Sequence, residues 1–372
     1  MKIAIEAQRI YRKEKHGMDY VALEMIRELQ KLDHENEYYI LVCPGKDRCL
    51  EESDNMHIVE VKCISYPLWE QVALPLALKK IQPDILHCTS NTAPIFCKVP
   101  LVLTLHDIIF LEKKRGNTPS FYQKMGRIYR RLVVPRILKK CKKIITVSQF
   151  ECNHINTSLE LEEGLLEAVY NGYSKHFHPI EETKNITRKY LDEDEYFFFL
   201  GNTDPKKNTE GVLKAYALYM AQSENPLPLL IADLSEDTID AYLKENQIMH
   251  IKPQLRFPGY IANTELPAIY SGATAFIYTS YRESFGIPIL EAMACGTPVI
   301  TSNTSAMPEI AGNDGILIDP YQPKEIADEL LHLEKDETYR NKQIVYGLER
   351  VKLFSWENTA KNVLDIYKKL KL

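Results

Sequence analysis

The sequence predicts an α/β fold made of two parallel-sheet domains. The chain has 372 residues, which is long for a single hydrophobic core, so two domains are expected. Short buried-strand patterns alternate with helical patterns, which is typical of β-α-β units. The clearest unit runs from an apolar strand at 275–278, through a polar loop and a short helix, to a second strand at 298–301. Its loop is expected at the carboxyl ends of the strands, where open parallel sheets bind ligands.

The first half contains a series of strand patterns with helical patterns between them. They lie at residues 3–5, 39–42, 58–61, 85–87, 101–104 and 143–149. A helix is predicted from about Met18, because apolar residues recur at helical spacing after it. The G-x-G-x-x-G pattern of dinucleotide-binding loops is absent before this helix. Ser148 is placed to cap the helix that follows the last of these strands.

The domain boundary is predicted near residue 175. The segment 181–195 is charged and has few apolar residues, as expected close to a linker. The prediction is an N-terminal domain of residues 1–175 and a second domain of residues 176–354. The second domain opens with the apolar strand 196–201 and contains further strand patterns at 229–232, 256–261 and 316–318.

Composition describes an ordinary globular protein. The hydrophobic fraction is 45%, the charged fraction is 26% and the net charge is −5, so nothing favours nucleic acid as a partner. The N-terminal stretch Met1-Lys2-Ile3-Ala4-Ile5-Glu6 meets a charge too early for a signal peptide, and no apolar stretch approaches the length of a membrane span. The eight cysteines are scattered without paired metal-ligand spacing, which predicts reduced thiols and a cytoplasmic location.

The loop and helix at 279–294 suit a phosphorylated ligand. Gly286 lets backbone approach a ligand closely, and free N–H groups at the helix start point towards an anion. Glu283 precedes the helix and Glu291 lies roughly one turn inside it, so their carboxylates are expected on the order of 10 Å apart. Two-carboxylate hydrolysis needs about 5–5.5 Å for retention or about 6.5–9.5 Å for inversion. Binding of two hydroxyl-bearing ends of one ligand fits better, with two solvated glutamates as the alternative.

The longer run resembles a known family. Residues 283–300 read Glu-Ser-Phe-Gly-Ile-Pro-Ile-Leu-Glu-Ala-Met-Ala-Cys-Gly-Thr-Pro-Val-Ile, and residues 305–312 read Ser-Ala-Met-Pro-Glu-Ile-Ala-Gly. This run resembles the E-x7-E signature of family-four retaining glycosyltransferases of the bacterial glycan-biosynthesis type. That family has the GT-B fold, in which two Rossmann-like domains face a central cleft. The resemblance implies that residues 355–372 form a helix that crosses back to the N-terminal, acceptor-binding domain.

The resemblance implies roles for residues of the second domain, which would bind the nucleotide sugar. Glu283 matches the glutamate that contacts the transferred sugar, and Glu291 matches the one that contacts the ribose. The backbone between them would cap the diphosphate. That stretch comprises Ser284, Phe285, Gly286 and Ile287. The nucleobase would be backed by Gly259, Tyr260 and Ile261.

Two positions of the first domain also match the family. Gly17 corresponds to a glycine loop that approaches the donor phosphates, although a simple loop glycine is the alternative. His106, in the His-Asp pair at the end of the strand 101–104, corresponds to a histidine near the transferred sugar. The alternative for His106 is a hydrogen-bonded core histidine, and Asp107 is interpreted as its structural neighbour. His87, at an earlier strand end, is interpreted as lining the site.

A second phosphate-binding loop is predicted at residues 202–208, between a strand and a helix. Lys206 and Lys207 lie in it. A helix terminus typically gives an anion 0.3–1 kcal/mol and a charge-assisted hydrogen bond roughly 1.5–3 kcal/mol, so the lysines should dominate diphosphate binding. The family often has Pro-Arg-Lys-Asn here. Lys207 matches its lysine, whereas Lys206 replaces an arginine and cannot form the planar fork of a guanidinium.

One segment, residues 113–143, is strongly basic. There is no acidic residue from Lys113 to Phe150, and apolar residues are interleaved with the cations. A basic amphipathic helix can bind an anionic membrane surface, with each nearby Lys or Arg worth about 1 kcal/mol. The interpretation is peripheral attachment to the inner face of the membrane, which would suit a lipid-linked acceptor. The alternative is an ordinary surface helix packed on the sheet.

The predicted function is therefore retaining transfer of a hexosyl unit from a nucleoside-diphosphate sugar to a glycan or lipid-linked glycan. The donor would be GDP-mannose or a UDP-hexose, and the predicted catalytic residues are His106, Glu283 and Lys207. No metal or other cofactor is expected, because lysines and helix N-termini can stabilise the departing diphosphate. Two alternatives are a GT-B nucleotide-sugar 2-epimerase and a non-catalytic subunit that binds nucleotide sugars.

Overall fold

The computed structural model describes residues 1–111 and 121–370, with side chains except at 121–123. The chain forms two compact units. The first combines Met1–Asn171 with the helix that begins at Trp356, and the second is Gly172–Ser355. The division lies a few residues before the predicted boundary near 175.

The first unit is built on a seven-stranded parallel sheet in the order β3-β2-β1-β4-β5-β6-β7. Its strands are β1 Lys2–Glu6, β2 Glu37–Val42, β3 Met56–Glu60, β4 Ile85–Cys88, β5 Leu101–Thr104, β6 Cys141–Thr146 and β7 Leu166–Ala168. The strand order reverses between β1 and β4, so the carboxyl ends of these two strands mark the switch point of the sheet. Apart from the short β7, the strands follow the predicted runs.

Helices cover the first sheet. They are α1 Gly17–Leu32, α2 Tyr66–Leu68, α3 Leu74–Ile81, α4 Phe121–Leu138, α5 Gln149–Leu159 and the C-terminal helix Trp356–Lys369, with a π-helical turn Trp69–Ala73 joining α2 to α3. As predicted, Ser148 caps α5, and its hydroxyl accepts the Glu151 N–H at 3.1 Å. The C-terminal helix packs its apolar side, including Val363 and Tyr367, into the core formed with α1 and the sheet.

The second unit contains a six-stranded parallel sheet in the order β10-β9-β8-β11-β12-β13. Its strands are β8 Phe197–Leu200, β9 Leu229–Ala232, β10 Leu255–Gly259, β11 Ala275–Tyr278, β12 Val299–Ser302 and β13 Ile316–Ile318. Its helices are α6 Lys184–Thr187, α7 Thr209–Met220, α8 Glu236–Glu245, α9 Leu266–Gly272, α10 Ile287–Ala294, α11 Met307–Ala311, α12 Pro323–Lys335 and α13 Glu337–Arg350. The switch point of this sheet lies between β8 and β11.

The central strands of both sheets are buried on both faces, which explains their continuous apolar runs. In the second unit, Phe197 and Phe199 face one side of the sheet with Ile277. Phe198 and Phe276 face the other side, where their rings lie 5.6 Å apart. The rigid strand ends therefore hold the loops that follow them in fixed positions.

Candidate functional site

The second unit brings two predicted loops together at its switch point. The loop after β8 contains a single 3₁₀ turn, Pro205–Lys207, and the loop after β11 follows Tyr278. The Tyr281 N–H donates to the Lys206 carbonyl at 2.7 Å. The Asn208 amide donates to the Thr279 carbonyl at 3.0 Å. These bonds fix the two strand-end loops against each other.

Lys207 and Glu283 form the charged centre of this site. The Lys207 ammonium lies 2.6 Å from Glu283 Oε1. It also donates to the Tyr278 hydroxyl at 3.3 Å and lies 5.2 Å from the centroid of the Tyr278 ring. Both charged side chains are partly buried, so their attraction is screened less than that of a surface pair. The arrangement places a cation and a carboxylate side by side at the carboxyl edge of the sheet.

Glu291 is the second carboxylate of the site and lies on the second turn of α10. Its burial raises the pKa of its carboxyl group to about 7, and the Tyr270 hydroxyl lies 3.5 Å away and opposes the shift. The Tyr278 hydroxyl lies within the electrostatic reach of both carboxylates. Its pKa is raised first by burial and then by the charges of Glu283 and Glu291. Tyr278 therefore contacts Lys207 and lies within the electrostatic influence of both carboxylates.

The start of α10 depends on Gly286. Its φ angle is 111°, in a region that residues with a Cβ rarely adopt, and an added Cβ would lie 3.0 Å from Ile289 Cδ1. Pro288 lies in the first turn, where its missing N–H has no intrahelical partner to lose. The Glu283 N–H donates to the Ser305 hydroxyl at 3.0 Å, so the neighbouring loop fixes the start of this segment.

The predicted nucleobase residues lie at the end of β10. Gly259 has a φ angle of 71°, and the space around its Cα is open. The Tyr260 side chain is 78% exposed, whereas Ile261 is 3% exposed. Ile261 as a whole is therefore almost inaccessible from solvent, whereas Tyr260 is open to it. Lys206 is partly buried in the 3₁₀ turn beside Lys207.

The first unit holds His106 just after β5. The His106 N–H donates to Asn91 Oδ1 at 2.6 Å, and ring atom Nε2 donates to the Thr89 carbonyl at 2.9 Å. This assignment leaves Nδ1 as an acceptor. Burial lowers the pKa of His106, so the neutral ring is favoured. Asp107 accepts the Ile109 N–H at 3.0 Å, consistent with its interpretation as a structural neighbour.

The structure contradicts the interpretation of His87 as a residue that lines the site. It is fully buried, so it lines no surface. Ring atom Nδ1 bonds to the Tyr367 hydroxyl at 2.5 Å and Nε2 to the Thr104 hydroxyl at 2.7 Å. Burial lowers its pKa to about 3. His87 therefore joins β4, β5 and the C-terminal helix as a neutral structural residue.

Gly17 is the first residue of α1 and is exposed. An added Cβ would meet nothing within 4 Å, and its φ angle is not in the left-handed region. Its neighbour Asp19 is buried and accepts the His16 N–H at 3.0 Å in a capping box. The local structure therefore permits other residues at position 17 and does not itself require glycine.

Sequence reasoning did not assign a site role to Tyr278, Asn208 or Tyr270. Tyr278 is the last residue of β11 and could have been noticed, because an aromatic hydroxyl at a buried strand end usually has a polar partner. Asn208 has a φ angle of 60° and bridges the Thr279 and Pro320 carbonyls, a role that depends on distant backbone. The contact of Tyr270 with Glu291 also depends on the packing of two helices.

The class of protein follows from these features together with comparison to known proteins. The family described as "Glycosyltransferase Family 4" matches residues 16–176, and the one described as "Glycosyl transferases group 1" matches residues 180–350. The two matches coincide with the two parallel-sheet units. The chain is a glycosyltransferase with the GT-B fold.

Individual relatives place it more narrowly. The chain is 31% identical over 274 residues to the O-antigen chain mannosyltransferase B of Escherichia coli, a match that spans 72% of this chain and 70% of that protein. It is 26% identical over 322 residues to the serotype-specific mannosyltransferase WbdA of the same species, covering 81% of this chain but 38% of WbdA. The chain thus belongs to the family-four glycosyltransferases and is related to enzymes of bacterial glycan biosynthesis.

A solved structure shares the fold across the whole chain. Anabaena HepE in complex with UDP-glucose has a TM-score of 0.73 and 16% identity, with 99% of this chain and 100% of that chain covered. At this identity the likeness shows the fold alone.

Within residues 1–111 and 121–370, no helix combines the length and the apolar character needed to cross a bilayer.

Proposed function

We propose that this protein transfers a hexosyl unit, with retention of configuration, from a nucleoside-diphosphate sugar to a glycan or lipid-linked glycan. The observation that carries the proposal is the 2.6 Å contact between Lys207 and Glu283 at the switch point of the second sheet. A nucleotide sugar presents an anionic diphosphate directly beside sugar hydroxyls. Adjacent cationic and carboxylate side chains are suited to bind these two adjoining groups.

Lys207 would contact the diphosphate and Glu283 a sugar hydroxyl. Without donor, the two side chains neutralise each other. When donor binds, the ammonium would turn to the phosphate oxygens and the carboxylate would accept from the sugar. Negative charge grows on the diphosphate as the bond from the sugar to the phosphate breaks, so an ammonium bound to the diphosphate would stabilise the transition state more than the ground state. Lys206 would add a second positive charge.

The α10 region would hold the remainder of the donor. Free N–H groups at Gly286 and Ile287 are suited to cap phosphate oxygens. The Glu291 carboxylate would accept from ribose hydroxyls, and Gly259 would bring backbone close to the base. His106 would lie near the transferred sugar, with its neutral Nδ1 ready to accept a hydroxyl proton in a hydrogen bond.

The reaction proposed is attack by the acceptor hydroxyl on the face from which the diphosphate departs. The leaving phosphate would take the acceptor proton, the new glycosidic bond would replace the bond to phosphate, and the anomeric configuration would be kept. The electrophilic groups would be Lys207 and the backbone N–H groups of α10, so we propose that transfer needs no metal.

The donor is proposed to be GDP-mannose or a UDP-hexose. The mannosyltransferase names of relatives support the former, and the UDP-glucose complex of Anabaena HepE supports the latter. A thermal-shift screen of UDP, GDP, ADP and their sugar conjugates, with and without magnesium, would test this. A ligand at one hundred times its Kd adds about 2.7 kcal/mol to stability. One base giving a magnesium-independent shift is expected, and no shift with any nucleotide would contradict the donor site.

Product analysis then separates transfer from the alternatives. With the binding donor and a glycan acceptor, NMR of the product is expected to show the anomeric configuration of the donor. Formation of an isomerised sugar without acceptor would indicate a 2-epimerase. Donor binding without turnover on any acceptor would indicate a non-catalytic subunit. Magnesium chelation is expected to leave the transfer rate unchanged.

A peripheral membrane location is also proposed, on the cytoplasmic face where a lipid-linked acceptor would be presented. It is supported by the basic segment 113–143. Residues 121–143 of that segment are described and include α4, while residues 113–120 lie outside the described residues. On α4, three apolar side chains are exposed beside the cations. They are Met125, Ile128 and Leu132.

A further inference from the structure

Exposed apolar side chains are concentrated on the first unit. Among the described residues, sixteen large hydrophobic side chains are exposed, and eight of them lie on three segments that contact one another. These eight are Ile64, Leu68, Val72, Leu76, Phe96, Met125, Ile128 and Leu132. Phe96 and Ile64 are the most exposed, at 87% and 93%. Exposed apolar side chains concentrated on adjoining segments in this way mark an interaction site.

The first segment, residues 66–81, is a continuous helical stretch with a π-helical turn at Trp69–Ala73. Leu68, Val72 and Leu76 follow one another at intervals of four residues and face outwards. Trp69 and Leu74 are fully buried on the opposite side. The stretch is therefore apolar on both its core side and its outer side, which core packing alone does not explain.

A buried carboxylate joins this segment to α4. Glu70, in the π-helical turn, accepts from the Tyr129 hydroxyl of α4 at 2.5 Å and from the Tyr66 hydroxyl at 2.7 Å. It also accepts from the Thr92 hydroxyl at 2.5 Å, and the Gln71 amide donates to Tyr129 at 2.8 Å. The carboxylate is thus fully hydrogen-bonded, and the two helical segments are held side by side.

The loop that carries Phe96 is attached to the first helical segment and to the turn that follows α4. The Gln71 side chain accepts the Ile95 N–H at 2.9 Å. The Lys140 ammonium donates to the Ile95 carbonyl at 2.5 Å and lies 5.6 Å from the centroid of the Phe96 ring. We call the surface formed by residues 64–76, Phe96 and the outer side of α4 the apolar-basic face.

The charges around the apolar-basic face are almost all positive. No acidic residue lies from 85 to 106 or from 113 to 150, and the acid in segment 61–83 is the buried Glu70. Exposed cations surround the apolar side chains. They include Lys62, Lys79, Lys80, Lys98, Lys124, Arg131, Arg136, Lys139 and Lys140. This contrasts with the net charge of −5 for the whole chain.

We propose that the apolar-basic face inserts into an anionic bilayer surface, with residues 64–76 as a second insertion element beside α4. The inference rests on the membrane attachment proposed above for segment 113–143. It extends the membrane-binding surface to residues 64–76, which the charge pattern of segment 113–143 does not indicate. Apolar side chains would enter the acyl boundary while the surrounding cations contact anionic headgroups. A second copy of the chain is a poor occupant, because a two-fold dimer would place basic residues opposite basic residues.

Vesicle co-sedimentation of the full chain tests the proposal without donor or acceptor. Vesicles of phosphatidylcholine alone are compared with vesicles of equal parts phosphatidylcholine and phosphatidylglycerol. We expect partitioning onto the mixed vesicles that weakens with added salt. The variant Val72→Gln/Leu76→Gln, which changes no charge and no buried side chain, is expected to partition about tenfold less. The matched control Val345→Gln/Leu353→Gln alters two side chains of the second unit that are at least as exposed as Val72 and Leu76, and it should partition like wild type.

Three results would overturn the inference. The wild type does not sediment with mixed vesicles, or the Val72/Leu76 variant partitions as well as wild type. The third is a concentration-dependent dimer in gel filtration that the same variant dissociates, which would make the face a contact between copies. Each result leaves the nucleotide thermal shift unaffected, so loss of this inference and loss of the proposed transferase activity are distinguishable.

Discussion

The two sheets of this protein present opposite chemistry at equivalent positions. At the switch point of the second sheet, Lys207 and Glu283 are charged, adjacent and partly open to solvent. At the carboxyl ends of β1 and β5 in the first sheet, the titratable groups are buried and tend towards neutrality. Burial raises the pKa of Glu6, at the end of β1, to about 7, and burial lowers the pKa of His106. The same architecture thus supports a charged site in one unit and a buried polar site in the other.

The difference shows that the strand-end residues, not the topology, decide what each unit can bind. A diphosphate needs compensating positive charge, which the second unit has in Lys206 and Lys207. Sugar hydroxyls need neutral or singly charged hydrogen-bond partners, and the first unit offers these in His106 and its neighbours. This contrast supports the proposal that the second unit binds the donor diphosphate, and acceptor binding by the first unit stays a prediction.

The largest expected effect comes from removing the cation of the second site. Lys207→Ala should lower kcat/KM by about 10²–10³-fold, because the diphosphate loses a partly buried charged partner and Glu283 loses its counter-ion. Initial transfer rates over a range of donor concentrations measure it. Lys206→Ala is the matched control and should cost about tenfold or less, since Lys206 is not paired with Glu283. Equal losses from the two substitutions would contradict the assignment of Lys207 to the centre of the site.

The histidines of the first unit separate a functional from a structural role. His106→Gln keeps a donor for the Thr89 carbonyl but removes the acceptor Nδ1, so we expect a rate loss of about 10–10²-fold with near wild-type stability. His87→Ala breaks two buried hydrogen bonds and leaves a cavity, so it should lower the free energy of unfolding by about 3 kcal/mol. Denaturant unfolding and transfer assays measure both. Similar rate losses in the two folded variants would contradict the distinction.

Most of the fold could be predicted from the sequence because parallel strands buried on both faces give continuous apolar runs. β8, with three phenylalanines, and β11 are examples. β7, Leu166–Ala168, lacks such a run and was not predicted. The π-helical turn at Trp69–Ala73 was not predicted either, and the partner that its Glu70 finds, Tyr129, lies 59 positions away in the sequence.

The candidate site was predicted wherever its residues belong to one contiguous pattern. Glu283 and Glu291 lie in the same loop and helix, and Lys207 lies in a recognisable strand-loop-helix unit. Their assigned roles stay predictions. His87 was misinterpreted, because a histidine at a strand end looks the same in sequence whether its partners are solvent or, as here, Tyr367 and Thr104. Tyr278 was overlooked because it ends an apolar strand pattern, and nothing in that pattern indicates that its hydroxyl has polar partners.

The pH dependence of stability tests the environment of Glu291. Its pKa is about 7 in the folded protein against an ordinary value of 4.5, so the folded state holds this proton more tightly than the unfolded state. The contribution of Glu291 to the free energy of unfolding is therefore greatest at low pH. It falls by up to about 3 kcal/mol as the pH rises from the ordinary pKa of the group to its pKa in the folded protein. Glu6, with a similarly raised pKa, contributes in the same direction. Thermal unfolding across this pH range measures the effect. The stability of Glu291→Gln should fall less steeply with rising pH than that of wild type, and an equal slope would contradict the raised pKa of Glu291.

The smallest effect compares the two glycines assigned to the phosphates. Gly286→Ala forces a Cβ into a φ angle of 111° and against Ile289, so stability should fall by about 1–2 kcal/mol and nucleotide affinity should fall with it. Gly17→Ala meets neither constraint, and its stability should stay within about 0.5 kcal/mol of wild type. Isothermal titration with the nucleotide then isolates the role of Gly17. Weaker binding by a stable Gly17→Ala variant would mean that the backbone at position 17 must approach the phosphates closely, whereas unchanged binding would restrict donor recognition to the second unit.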